Sequence, residues 1–335
     1  MPPCKFALCA IPTTRLYASS QCHFASRFHP LFNMPHSTHK PVKPLKGVRI
    51  LSLSLNLPGP AALQRLRHMG ATCLKFEPPA PVEVPAPITG DPMSAYSRTA
   101  YEALHLNIRT RTVDLKTAAG QRALQRQLAK TEVLLTSFRP NALSKLGLAW
   151  ESLRSVHPHL SLVAIVGAPG ARANEPGHDL TYLAENDLVT GLNLPATLYA
   201  DMGGALMATE AVLQAVLSQR QTGQGQYFEV ALSVAAAHLA LPRSWGLTLP
   251  GTQIGGGHAG YRVYPCQDGR VAMAALEPHC AKSLCAAAGL TWTTPAMMME
   301  ASTRQAIAGF VAARSCQALE ELALQHDIPL HTLPA

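Results

Sequence analysis

No carboxylate occurs before Glu77 in this 335-residue chain, and aromatic residues make up only 6% of it. Charged residues are also few, at 14%, against 47% hydrophobic residues, which excludes a disordered, solvating composition. No apolar run reaches the roughly 18 residues that a membrane-spanning helix needs. None of the eight cysteines forms a CxxC pair, and no Cys/His cluster has zinc-finger spacing. Free thiols in a reducing compartment and no metal site are therefore expected. A serine hydrolase is disfavoured because no GxSxG elbow occurs, and neither a P-loop nor HExxH is present.

The missing acids also explain the net charge of +8. Residues 1–45 hold Lys5, Arg15, Arg27, Lys40 and Lys43 against no acid; without these five, 23 basic residues face 20 acidic ones. The body is near neutral, whereas a nucleic-acid binder carries its basic excess in a folded patch. The acid-free stretch, rich in Pro, Ser and His, resembles an organelle transit peptide. A start codon placed too far upstream is the preferred alternative, since Met34 lies just before the first folded-looking residues. Residues 1–44 are accordingly set aside. A cytoplasmic location is expected, or a mitochondrial or peroxisomal one if the leader is genuine.

What is present reads as alternating strands and helices. Residues 48–53 are strand-like, residues 56–60 form a turn, residues 61–69 have helical spacing, and residues 72–76 are a second strand. Pro60 suits the first turn of a helix and Gly70 its end. That is a βαβ unit, which is right-handed and parallel in nearly all cases. Its first loop, residues 56–60, is not GxGxxG, so the dinucleotide fingerprint is absent there, but it lies where open α/β sheets bind ligands. Further strands are expected at residues 112–115, 133–136, 162–166 and 227–232, and helices at 120–130 and 205–219. The pattern predicts a doubly wound parallel sheet. Residues 242–257 contain many glycines and read as a linker or mobile loop. A hairpin over residues 261–275, turning at residues 267–270, opens a second, smaller α+β domain. The expected division is residues 45–241, a linker at 242–257, and 258–335.

Several stretches, in order, resemble the family III CoA-transferase superfamily. They are residues 44–51; Asn56-Leu57-Pro58-Gly59-Pro60 with residues 69–71; residues 75–77; Leu106-Asn107 leading to residues 114–116; and Phe138-Arg139-Pro140 leading to 146–148. Then come Gly177-His178-Asp179, residues 200–204, residues 222–226 and residues 275–278. The resemblance runs from Leu45 to about Pro334. It implies a Rossmann-like CoA-binding domain, a smaller second domain and an interlaced homodimer.

The resemblance also assigns roles. Asp201 matches the Asp that attacks the donor thioester in the transferases, and Gly203-Gly204 would let the substrate approach closely. Without the resemblance, Asp201 reads equally as the N-cap of a helix starting near Met202. His178 matches the catalytic base of the α-methylacyl-CoA racemase branch, where a base is needed on each face of the α-carbon; otherwise it is a loop histidine. Histidine as a residue type suits this task because it titrates near neutral pH. Glu277 matches a racemase Glu that pairs with the His; otherwise it is a surface residue at a helix start. Asp179 is expected to support its loop and Tyr182 to line the pocket. CoA is expected against Leu57, Pro58, Leu106, Asn107, Arg111, Phe138, Arg139 and Lys145, with Arg and Lys on its phosphates. Gly255-Gly256-Gly257 reads as a lid or a plain linker.

Thr110 stands where relatives carry Lys, and Pro78 where they often carry a basic residue. Relatives continue well past the segment resembling residues 327–330, so a shortened second domain is expected. The leading expectation is a 2-methylacyl-CoA racemase using His178 and Asp201. The alternatives are a CoA transferase using Asp201 as nucleophile, and a non-catalytic CoA-binding or dimer-partner protein. In each, a CoA thioester is the ligand and no permanent cofactor is expected.

Overall fold

A computed structural model describes residues 42–81 and 88–335. Nearly all of the expected leader lies outside the described residues.

In chain order the elements are β1 (Arg49–Ser52), α1 (Pro58–His68), β2 (Thr72–Glu77), α2 (Met93–Tyr96), α3 (Arg98–Leu104), β3 (Arg109–Thr112), α4 (Ala118–Leu128) and β4 (Val133–Thr136). Then come α5 (Pro140–Lys145), α6 (Trp150–Val156), β5 (Ser161–Val166), α7 (Asp179–Glu185), α8 (Tyr199–Thr222), β6 (Tyr227–Ala231), α9 (Leu232–Leu239) and α10 (Leu241–Ser244). The remainder is β7 (Tyr261–Cys266), β8 (Gly269–Ala274), α11 (Pro278–Ala287), α12 (Ala301–Ala312), α13 (Cys316–His326) and β9 (Leu330–Pro334).

Strands β1 to β6 form one parallel sheet in the order β3-β2-β1-β4-β5-β6. Side chains alternate across it, as the pleat requires. Ile50, Val133, Leu135, Val163 and Ile165 point to one face, where α1 and α8 cover them. Leu51, Leu134 and Leu162 point to the other, against Leu124 and Leu128 of α4, Leu143 of α5 and Leu153 of α6. Burial on both faces explains why β4 and β5 read as apolar runs. The chain thus winds helices onto both sides, as expected. Strand order reverses between β1 and β4, which opens a crevice at their carboxyl ends.

The expected strand at residues 112–115 is displaced. The strand is β3, Arg109–Thr112, and all four of its residues are exposed. It is an edge strand without an apolar face; Val113 and Leu115, which suggested a strand, pack beyond its end. Helix α8 begins at Tyr199 rather than near residue 202 or 205.

Strands β7, β8 and β9 form a separate antiparallel sheet. It has its own core, in which Tyr264, Val271 and Met273 meet Leu284, Met298, Ile307, Val311 and Leu319. Between the sheets, residues 242–257 hold most of α10 and one π-helical turn at Gln253–Gly257. Arg262 donates to the Gly256 carbonyl, and Arg304 donates to that of Gly257 at 3.0 Å.

Candidate functional site

A cleft of about 160 Å³ opens at the carboxyl ends of the central strands. The segments just past four of these strands line it. Leu55, Asn56 and Pro58 come after β1, Ser137 and Arg139 after β4, Gly167 after β5, and Leu232 after β6. Helices α7 and α8 close it with His178, Tyr182 and Asp201.

Asp201 lies in the first turn of α8, three residues past the N-cap position, Leu198. It is therefore not the cap, contrary to the helix-cap reading of the sequence. Leu198 offers no side-chain acceptor, and Asp179 supplies one from outside the helix: its Oδ1 accepts the Asp201 N–H at 3.0 Å. Asp179 is 5% exposed, so the helix start stands on a buried carboxylate. Burial, and secondarily the Asp179 charge, raises the Asp201 carboxyl to about 6. The positive end of α8 works the other way, favouring the anion by about 0.3–1 kcal/mol, and burial outweighs it.

His178 is the N-cap position of α7. Its backbone is locked by Thr181, whose hydroxyl accepts the His178 N–H at 3.1 Å and donates to its carbonyl at 2.7 Å. The residue is exposed and lines the cleft. Tyr182 is 5% exposed, and its ring needs the absence of two side chains. A Cβ on Gly167 would stand 2.1 Å from the Tyr182 hydroxyl, and one on Gly177 would stand 2.5 Å from it. Burial, then the Asp201 charge, raises the Tyr182 phenol, while Arg139 opposes the rise. Tyr182 is thereby kept as a neutral O–H donor.

A buried ionic network stands behind the first loop. Lys75, fully buried, pairs with Asp91 and with Glu77 at 3.0 Å. Its Nζ donates to His105 Nε2 at 2.8 Å, while His105 Nδ1 meets the Tyr101 carbonyl at 2.6 Å. Burial, then Lys75, lowers the His105 pKa, consistent with a neutral ring accepting at Nε2. The Tyr101 hydroxyl donates to Glu77 at 3.0 Å. Asp91 Oδ1 accepts the backbone N–H of Asn56 at 2.9 Å. The network thus fixes Asn56 at φ +64° on the cleft rim, with a buried Oδ1 that lacks a protein partner. Glu77, Asp91 and His105 are arranged like a metal-ligand set, but Lys75 Nζ already supplies the positive charge among them.

Of the residues expected at the site, Pro58, Arg139, His178, Tyr182 and Asp201 line this one cleft. Phe138 lines a second cavity of about 130 Å³ with Phe76, Leu115 and Lys116. Leu57 packs against the core instead. Leu106, Arg111 and Lys145 are exposed and line neither cavity, and Asn107 uses its carbonyl to accept from Arg67 Nε at 3.1 Å. Glu277 is exposed at the N-cap position of α11 and does not line the cleft. Ser137 and Gly167 are not among the residues the sequence offers, although they come directly after β4 and β5, whereas Asn56 stands in the loop after β1 that the sequence does offer.

A family model for CoA-transferase family III matches residues 45–333. The chain belongs to that family. A succinyl-CoA–D-citramalate CoA-transferase from Chloroflexus aurantiacus is 32% identical over 58% of this chain and 51% of its own length. Human alpha-methylacyl-CoA racemase is 28% identical over 70% of this chain and 62% of its own. The chain spans about half the length of the first curated relatives it matches. A crystal structure of a hypothetical protein from Mycobacterium tuberculosis superposes with a TM-score of 0.70 at 23% identity, covering 87% of this chain and 85% of that one, which supports the fold. Among the described residues no helix is long and apolar enough to cross a membrane.

Proposed function

We propose that this family III chain acts on acyl-CoA thioesters as a 2-methylacyl-CoA racemase, with His178 and Asp201 as its two bases. One observation carries the reading: His178 and Asp201, the latter's carboxyl partly desolvated, line one cleft at the switch point of the sheet. Removing the α-proton of a thioester gives an enolate, which needs a donor at its oxygen. Tyr182 is a neutral donor in the same cleft. One base takes the proton and the other returns one to the opposite face, so no cofactor is consumed. A carboxyl near 6 suits proton exchange around neutral pH.

CoA transfer is the second reading. It is favoured by the transferase among the relatives and by the burial of Asp201, since a desolvated carboxylate is the better nucleophile. A homodimer accompanies either reading. Met202, Leu206 and Leu217 of α8, Val234 and Leu239 of α9, and Trp245 are large apolar residues left exposed. A second copy is the proposed cover for that surface.

The test is a single enantiomer of a 2-methylacyl-CoA in D₂O, followed by proton NMR. Deuterium uptake with loss of optical purity, abolished in His178→Ala and Asp201→Ala, is expected. A mass adduct on Asp201 after adding acyl-CoA and a free acid, without exchange, would replace racemisation by transfer. Neither exchange nor adduct across several acyl chains would leave a CoA-binding protein.

A further inference from the structure

Away from the cleft, the second sheet brings together three groups that are distant in sequence. Cys266 ends β7, Asp268 sits in the two-residue turn to β8, and Cys316 opens α13. Cys266 Sγ lies 3.5 Å from Cys316 Sγ and 3.9 Å from Asp268 Oδ1. All three ligand atoms fall within 4.8 Å of one another. Asp268 Oδ1 accepts the Cys316 N–H at 2.7 Å, which fixes the carboxylate against the start of the helix. Cys316 is 6% exposed and Cys266 is half-buried, so the cluster is held by the fold yet reached from one side.

We propose that Cys266, Cys316 and Asp268 form a binding site for a thiophilic divalent cation of the zinc class, with solvent as the fourth ligand. Two sulfurs at about 2.3 Å from one tetrahedral zinc are separated by about 3.7 Å. The observed 3.5 Å is close to that spacing, whereas a disulfide needs about 2.05 Å. The surroundings also favour a cation over an oxidised pair. Asp268 Oδ1, fixed by the Cys316 N–H at 2.7 Å and 3.9 Å from Cys266 Sγ, puts an anionic oxygen beside the two sulfurs, a donor that a cation uses and a disulfide does not. A dication bound there replaces both thiol protons and cancels the three negative charges in part. The step is Zn²⁺ plus two thiols and one carboxylate giving a Zn(S)₂(O) centre and two protons released to solvent. The ion would tie the β7–β8 turn to α13, joining the strands of the second sheet to the helix that packs behind them.

The test is a Co²⁺ titration of the reduced full chain, with Zn²⁺ as competitor. One Co²⁺ per chain with a thiolate-to-metal charge-transfer band, displaced by Zn²⁺, is expected. Cys266→Ser and Cys316→Ser should each abolish the band, and Asp268→Asn should weaken binding at least tenfold. Affinity should rise about a hundredfold per pH unit, because two protons leave. If the variants fold poorly, the wild-type chain still decides the matter. Zn²⁺ should protect the Cys266 and Cys316 peptides, and not that of exposed control thiols added to the solution, from iodoacetamide. Absence of the band, its persistence in the double Cys→Ser chain, or unprotected thiols would overturn the site. So would a Cys266–Cys316 disulfide forming in air equally with and without Zn²⁺.

Discussion

Replacing Asp201 by Asn should make the protein more stable and inactive at once. A carboxyl whose pKa is higher in the folded than in the unfolded chain binds its proton more tightly in the native state. Its contribution is therefore best when it is protonated, and stability is lost as pH rises from about 4 through about 6. With an unfolded value near 3.9 and a folded value of about 6, the charged group costs about 1.5 kcal/mol at about pH 5 and about 3 kcal/mol at about pH 7.5. Asn is nearly isosteric and keeps the backbone N–H that Asp179 caps, so the substitution removes mainly the charge. At 2–4 °C per kcal/mol, the variant should melt roughly 5 °C or more above wild type at about pH 7.5, and by about half that margin at about pH 5. Urea unfolding and melting at the two pH values measure the gap. A variant no more stable than wild type at about pH 7.5, or a gap that does not grow with pH, would refute the claim that Asp201 is held desolvated. Activity gives the complementary reading. Wild-type kcat/KM should fall as pH drops through about 6, where the base becomes protonated, and the variant should show no turnover at any pH.

The geometry carries three further expected outcomes. Lys75→Met leaves Asp91 and Glu77 buried without their cation, so urea unfolding should show a loss of about 3–5 kcal/mol; a loss under about 1 kcal/mol would mean that the network is not buried as described. Gly167→Ala drives a methyl into the Tyr182 hydroxyl and should cost about 1–3 kcal/mol, of which Tyr182→Phe in the same chain should recover part; no recovery would place the strain elsewhere. Because Glu277 does not line the cleft of its own chain, it can assist His178 only from a second copy. Mixed refolding of inactive His178→Ala and Glu277→Gln chains should then restore about a quarter of wild-type activity, carried by the one intact site of each mixed dimer, whereas no recovery, or an active Glu277→Gln chain, would remove Glu277 from the chemistry.

What the sequence revealed depended on whether the signal was local. Strands β4 and β5 were legible because both faces are buried, which leaves runs such as Val133-Leu134-Leu135 without a polar break. Strand β3 was misplaced because Arg109–Thr112 has no buried face and takes its place from pairing with β2 alone. The cleft was partly legible through motif resemblance, which named Pro58, Arg139, His178, Tyr182 and Asp201. Spacing could not have grouped them: they belong to different strand ends and helices and meet only because the sheet reverses order between β1 and β4. The same topology explains the omissions. The partner that sets Asn56 is Asp91, 35 residues away, and Asp179, expected to support its own loop, accepts the Asp201 N–H across 22 residues. Cys266 and Cys316 stand 50 residues apart and meet through a hairpin turn and a helix start. A rule based on CxxC spacing detects metal sites built within one loop, and it is blind to a site assembled by a fold.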